Sequence, residues 1–296
     1  MFISARPVRL ASCPFNSLQY AAGLGHLGTA EMDAGKVRVF RRPVPETDLH
    51  DGVGAWPYVW IDDQADIATL YEGYRHLVTL AVVTQPGFVP RGRGDDATIL
   101  KQHFVYDPAL PAPPLSRRAR GRLAACEKIA AFEVVAGPTG WREFADLYEG
   151  LKVRRALKGA FFEKGARHFQ AVAECEGSIF FRVAGSRGLG AMACGVVFAD
   201  MLQVLHMGST ESGLRWDASY LLMHGLQQFA RANRLRLFTG GMPDAGSEGL
   251  RVFKSRWANA FEPVYLMKIV NDPIRYRELC AARPAASNYF PAYRDP

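Results

Sequence analysis

Apolar residues recur at helical spacing early in the chain, where Ile67, Leu70, Tyr71, Tyr74, Leu77 and Val78 predict a helix over 64–78. It runs into TLAVVT (79–84), a β-branched run closed by Gln85-Pro86-Gly87, which reads as a strand and a turn. The polar RGRGDDAT (91–98) reads as a loop, and KQHFVYD (101–107) as another strand. In DPALPAPPLSRR (107–118) four prolines exclude regular structure until Leu115. That segment is taken as the connection from one lobe toward another.

A helix is predicted over 116–131 with Ser116 as its N-cap, then a short strand FEVVAG (132–137) stopped at Gly137-Pro138. Trp141, Phe144, Leu147, Tyr148 and Leu151 form the stripe of a second helix beginning at Trp141, and a third is expected around 165–175. From residue 178 the pattern turns to strands: IFFRVA, a Gly-rich turn, AMACGVVFAD and MLQVLHMGS, each with the character of a sheet with a covered face. WDASYLLMHGLQQFARAN (216–233) is an amphipathic helix, with Asp217 as its N-cap or first-turn acid. RLRLFTGG and EPVYLMKIV (262–270) are the last strands. The order gives a mixed α/β fold with antiparallel hairpins rather than a regular βαβ series. The N-terminal half repeats a weaker version of it. Two similar lobes are expected, over 1–130 and 131–275, with a tail at 276–296 packing back on the first.

With 296 residues the chain is long enough for one large or two small domains. No stretch approaches the roughly 20 apolar residues that cross a bilayer. The N-terminus carries arginines and a proline within its apolar patch and does not read as a secretory signal, so a cytoplasmic location is expected. The five cysteines are scattered without a C-x-x-C pair and the seven histidines without H-x-x-x-H spacing. Buried structural thiols and no metal are the expectation. The net charge of +7 fits a polyanionic partner such as RNA, a nucleotide-bearing substrate or coenzyme A.

Gly23-Leu24-Gly25-His26-Leu27-Gly28 matches G-x-G-x-x-G in letters only. A dinucleotide site needs a strand before it and a helix after it. Here the preceding SLQYAA reads as helix and the strand-like KVRVF follows, so the glycines end a helix. No G-x-S-x-G elbow marks a nucleophilic serine.

In the C-terminal third, LHMGST is followed by WDASYLLMHGLQQFARANRLRLFTGG and then by GLRVFKSRWANAFEPVYL. Upstream stand PLSRRARGRLAACEKIAAFEVV and WREFADLYEGLKVRR. In this order and spacing, over about residues 58–270, the chain resembles the FemAB-like branch of the GNAT acyltransferase superfamily. The resemblance implies two GNAT-type lobes with a cleft between them. It also implies attack of an amine on an activated acyl group, usually an aminoacyl ester on tRNA, to form an amide. Relatives extend peptidoglycan bridges or make amide bonds in small natural products, and no further cofactor is implied.

The resemblance carries a catalytic or phosphate-pairing role to Lys254 and a base-stacking or core role to Phe253. It points to Arg154 and Arg155 as phosphate- or acceptor-binding arginines. Adjacent helical residues diverge, so at most one of these two faces a site. Arg117 and Arg118 belong to the basic helix expected to contact tRNA. Asp107 could position the amine or simply form a turn before proline. His206 could deprotonate it or be structural. The pyrophosphate loop of coenzyme A-dependent acetyltransferases, [RQ]-x-x-G-x-[GA], is missing from GSTESGLRWDAS (208–219). Three readings follow: an aminoacyl-tRNA-dependent transferase acting on a small-molecule or cell-wall-precursor amine, an acyl-CoA-dependent N-acyltransferase, and a non-catalytic binding protein for RNA or a nucleotide.

Overall fold

The computed structural model describes residues 13–32, 37–91, 96–157, 164–241 and 248–295. They form two compact units, one of residues 15–102 with 263–295, the other of residues 13–14 with 103–262. The sequence-based division at 130/131 falls inside the second of these, and residues 263–275 group with the first. The units change over within strands, at 102/103 and 262/263, not in the proline-rich segment.

The unit of 15–102 and 263–295 opens with α1 (Leu18–Ala22), capped by Ser17 and ended at Gly23. The GLGHLG glycines therefore close a helix. Then come β1 (Thr29–Met32), β2 (Arg38–Pro43), β3 (His50–Gly54), α2 (Gln64–Gly73) and β4 (Thr79–Val83). α2 starts at a capping box, in which Asp63 accepts from the Asp66 N–H while the Asp66 carboxylate accepts from Asp63. It stops at Gly73, short of the predicted residue 78. Tyr74, Leu77 and Val78 still enter the core, but as the approach to β4 rather than as a last helical turn.

The other unit runs from the end of β5 (Ala97–Tyr106) through α3 (Arg117–Glu127), β6 (Ala130–Val135), α4 (Gly137–Arg155), α5 (Ala166–Glu174), β7 (Ser178–Gly185), β8 (Gly188–Phe198), β9 (Met201–Ser209), α6 (Glu211–Arg215), α7 (Ala218–Asn233), β10 (Arg236–Gly241) and α8 (Glu248–Ser255). The chain closes with β11 (Ala260–Val270) and α9 (Pro273–Ala282). Within the first unit the strand order is β1-β2-β3-β4-β11, within the second β5-β10-β9-β8-β7-β6. Each is antiparallel apart from one parallel pair, β3 with β4 and β9 with β10. The mixed α/β class expected from the sequence is the class of the structure.

Helices cover both faces of the strands of the second unit. Successive strand side chains point to opposite faces, and on β7 Phe180 packs beneath Gly140 of α4 while Phe181 meets Phe229 of α7. Gly140 is required there, since a Cβ would stand 2.6 Å from Phe180. α4 begins before the predicted Trp141, because Pro138 in its first turn has a preset φ and needs no hydrogen-bond partner. Gly137-Pro138 thus ends a strand and opens a helix. α6, α8 and α9 were not expected from the sequence. No helix among the described residues is long and apolar enough to cross a membrane.

A candidate active site where two parallel strands part

β9 and β10 pair only at their beginnings, Met201–Gln203 with Arg236–Phe238. Both strands continue, β9 along β8 to Ser209 and β10 along β5 to Gly241. Beyond Gln203 and Phe238 they are held by different neighbours, which makes a fork. The buried Gln203 amide sits in its crotch, donating to Val204 O at 2.8 Å and to Phe238 O at 3.5 Å.

A bulge shapes the β9 side. Cys194 pairs with His206 and the next residue, Gly195, pairs with Val204, so Leu205 is an extra residue. A bulge shifts the inward–outward alternation. Leu202 and Val204 belong to the core under α7, whereas His206 lies among Phe144, Tyr148 and Phe169 of α4 and α5. Its Nε2 is 3.0 Å from Nε2 of His168. Burial holds His206 well below 6.5, with His168 and then Lys164 adding to the effect. Lys164 is itself buried, and that burial pushes its ammonium down to about 8.

On the β10 side stands Lys254. α8 brings its Nζ to 2.8 Å from Thr239 O and 3.5 Å from Gly241 O. The intervening Gly240 has φ +86°, and a Cβ there would be 3.4 Å from Nζ. The positive φ is what calls for glycine at 240. Phe253, its neighbour, packs at 5.5 Å from Tyr220 and 6.4 Å from Trp257. That contact anchors α8 to the core and is the apolar role left open by the sequence.

Arg154 and Arg155 diverge as helical geometry requires. Arg155 is exposed, while Arg154 turns in and donates from Nη2 to Ser209 O at 2.9 Å. Its Nε is buried and makes no hydrogen bond among the described residues. One cation therefore stands at the carboxyl end of β9 and another, Lys254, at that of β10. Arg117 and Arg118 are exposed on the first turn of α3, where the helix dipole gives cations no support.

Asp107 lies elsewhere. It follows β5, which runs antiparallel to β10, so it sits beside the first residue of β10, Arg236, at 3.8 Å. The six residues from Arg236 to Gly241 span roughly 16 Å, which separates it from the open end of the fork. Its Oδ1 accepts from Ala109 N at 2.8 Å and its N–H donates to Asn259 at 2.7 Å. This is the turn-forming role. Asp217, expected to cap α7, adopts φ +60° without a capping bond and pairs instead with Arg122 at 3.1 Å.

In the β9–α6 turn, where a coenzyme A pyrophosphate loop would stand, three backbone donors are used internally. Thr210 N bonds to Gly190 O, Gly213 N to Thr210 Oγ1 and Leu214 N to Thr210 O. The turn lies tight on β8: a Cβ on Gly213 would be 1.9 Å from Gly190 O.

Sequence reasoning missed Lys164 and His168. His168 is 38 positions from His206, and the one local signal was its place beside Phe169 on the buried stripe of α5.

No protein-family model matches the sequence, and no curated protein matches it. Solved structures do. FemX aligns over 88% of this chain and 93% of its own, with TM-score 0.61 and 12% identity. The C-terminal domain of a lysylphosphatidylglycerol synthetase from Agrobacterium fabrum aligns over 85% and 87%, with TM-score 0.59 and 14% identity. L-PGS from Bacillus licheniformis aligns over 84% and 87%, with TM-score 0.56 and 15% identity. The chain shares the fold of FemX and of these two proteins.

Proposed function

We propose that this protein is an acyltransferase that forms an amide by moving an aminoacyl group from aminoacyl-tRNA to the amine of a small-molecule or cell-wall-precursor acceptor. The observation that carries the reading is the fork of β9 and β10 with Lys254 on the β10 carbonyls, in a chain with the fold of FemX. The amine nitrogen attacks the ester carbonyl carbon, a C–N bond forms, and the C–O bond to the tRNA ribose breaks. Such a reaction needs alignment and stabilisation of the developing oxyanion more than covalent help. Parted parallel strands offer backbone groups and room for an extended acyl chain. Lys254 supplies a positive charge at one prong and Arg154 at the other.

The internally bonded β9–α6 turn favours an RNA donor over coenzyme A. A pyrophosphate is held by a row of backbone N–H groups at a loop or helix start, and here those of Thr210, Gly213 and Leu214 are already used. The test is single-turnover transfer from charged tRNA with and without ribonuclease, run beside acyl-CoA donors. Loss of product on ribonuclease treatment supports the tRNA donor. Product from acyl-CoA alone supports the coenzyme A-dependent reading. Phosphatidylglycerol vesicles belong among the acceptors tried, with an ester on the glycerol hydroxyl as the product sought, since one protein of similar fold is named as a lysylphosphatidylglycerol synthetase.

A further inference from the structure

Amide formation strips a proton from the attacking nitrogen and delivers one to the leaving oxygen, so a transferase site gains from a group that does both. His206 stands where such a group is needed, on the fork-lining part of β9 beyond the bulge. It is partly exposed, and its Nε2 meets that of His168, which is 3% exposed. At 3.0 Å one ring donates and the other accepts, which fixes complementary tautomers. Phe144, Tyr148 and Phe169 surround His206 at centroid distances of 6.3, 5.7 and 5.4 Å.

The titratable groups facing the pair come from each neighbouring element. Lys164 precedes α5, Tyr148 is on α4, and Cys194 lies opposite His206 on β8. Grouping Lys164, His168 and His206 costs desolvation and places like charges together whenever two are protonated. Apolar side chains fill the same strand at Leu202 and Val204 without that cost. Perturbed bases gathered at one prong of a strand fork point to a functional site more than to packing.

Resting on the acyl-transfer reading, we propose that His206 is the proton-transfer residue of this site and that His168 positions it. As the C–N bond forms, the imidazole of His206 takes a proton from the amine nitrogen. As the C–O bond breaks, the same imidazole returns a proton to the ribose oxygen, which leaves as a hydroxyl. The bond to His168 orients the ring and spreads the transient positive charge over two imidazoles. Burial keeps His206 neutral, hence able to accept, through neutral and mildly acidic pH. A weak base suffices, because the nitrogen becomes strongly acidic once it is bonded to the carbonyl carbon.

The experiment measures single-turnover amide formation from charged tRNA against pH for wild type, His206→Gln, His168→Gln and the double variant. His206→Gln is expected to lower the rate about 100-fold with unchanged tRNA affinity, and to remove the acid limb, which in wild type lies below pH 6.5. His168→Gln is expected to lower it about tenfold and to move that limb, with no added effect in the His206→Gln background. Should His168→Gln not fold, coupling between the two Nε2 nuclei in wild-type protein labelled with nitrogen-15 replaces it. Two imidazoles without a shared proton overturn the proposal. Wild-type rate and pH profile in folded His206→Gln overturn it too and leave the acyltransferase reading standing. Absence of transfer by wild-type protein from every donor overturns both.

Discussion

The Lys254 ammonium stands 2.8 Å from the carbonyl oxygen of Thr239, at the carboxyl end of β10 where β9 has already turned away. α8 holds it there through Phe253, which packs on Tyr220 and Trp257. Tyr220 in turn accepts a hydrogen bond from Arg256 at 2.8 Å. The charge is therefore fixed by the core of one unit rather than carried on a loose surface chain. Lys254→Ala is expected to slow transfer about tenfold or more while the thermal midpoint changes little. Steady-state rates beside a melting curve check this, and wild-type turnover in the variant would remove Lys254 from the site.

Gly240 lies beneath that lysine. Its φ of +86° strains any L side chain, while a Cβ would meet Nζ at an ordinary 3.4 Å. Gly240→Ala is expected to cost about 1 kcal/mol in urea denaturation and to lower transfer together with stability. Gly121→Ala is the control of opposite sign, since Gly121 lies within α3 with nothing near its missing Cβ. It should stabilise by a few tenths to about 1 kcal/mol.

Much of this architecture is written in local patterns. Leu222, Leu226 and Phe229 mark α7, and the apolar runs of β8 to β10 mark the sheet that α7 covers. Ser116 caps α3 as its sequence indicates. α8 is only eight residues long, leaves Leu250 and Val252 exposed, and meets the core through Phe253, too short a stripe to mark a helix by periodicity. The bulge at Leu205 depends on pairing with β8, a relation no local pattern encodes. It decides which way His206 points, and hence that His206 meets His168. Helical spacing predicted that Arg154 and Arg155 diverge. Only the position of Ser209 shows which one turns inward.

The exposed Arg117 and Arg118, with Lys152, Arg154 and Arg155 at the end of α4, are expected to contact the tRNA backbone. Affinity for tRNA should fall steeply with salt, and replacing Arg117 and Arg118 together should reduce the slope of log K against log salt by about 1–2. Filter binding over a salt series measures it. A flat affinity would contradict an RNA donor held by these groups.

In the other unit Asp51 is fully buried and serves three partners: Arg42 at 2.8 Å, Tyr293 at 3.1 Å and Arg294. Tyr293 also bonds to Thr79 at 2.9 Å, so one carboxylate ties the last residues of the chain to β2, β3 and β4. Asp51→Ala leaves two guanidinium groups without their anion and is expected to destabilise by about 3–5 kcal/mol. Urea denaturation measures it. A loss below about 1 kcal/mol would mean that the network behaves as a surface pair.

The most direct test of the proposed chemistry is mass spectrometry of small-molecule products after incubation with a pool of charged tRNAs and a pool of amine acceptors. The predicted result is a new amide whose added mass equals one aminoacyl residue, formed by wild-type protein, abolished by ribonuclease and reduced in Lys254→Ala. A wild-type reaction with no such mass, or one whose yield is indifferent to both ribonuclease and Lys254→Ala, would contradict it.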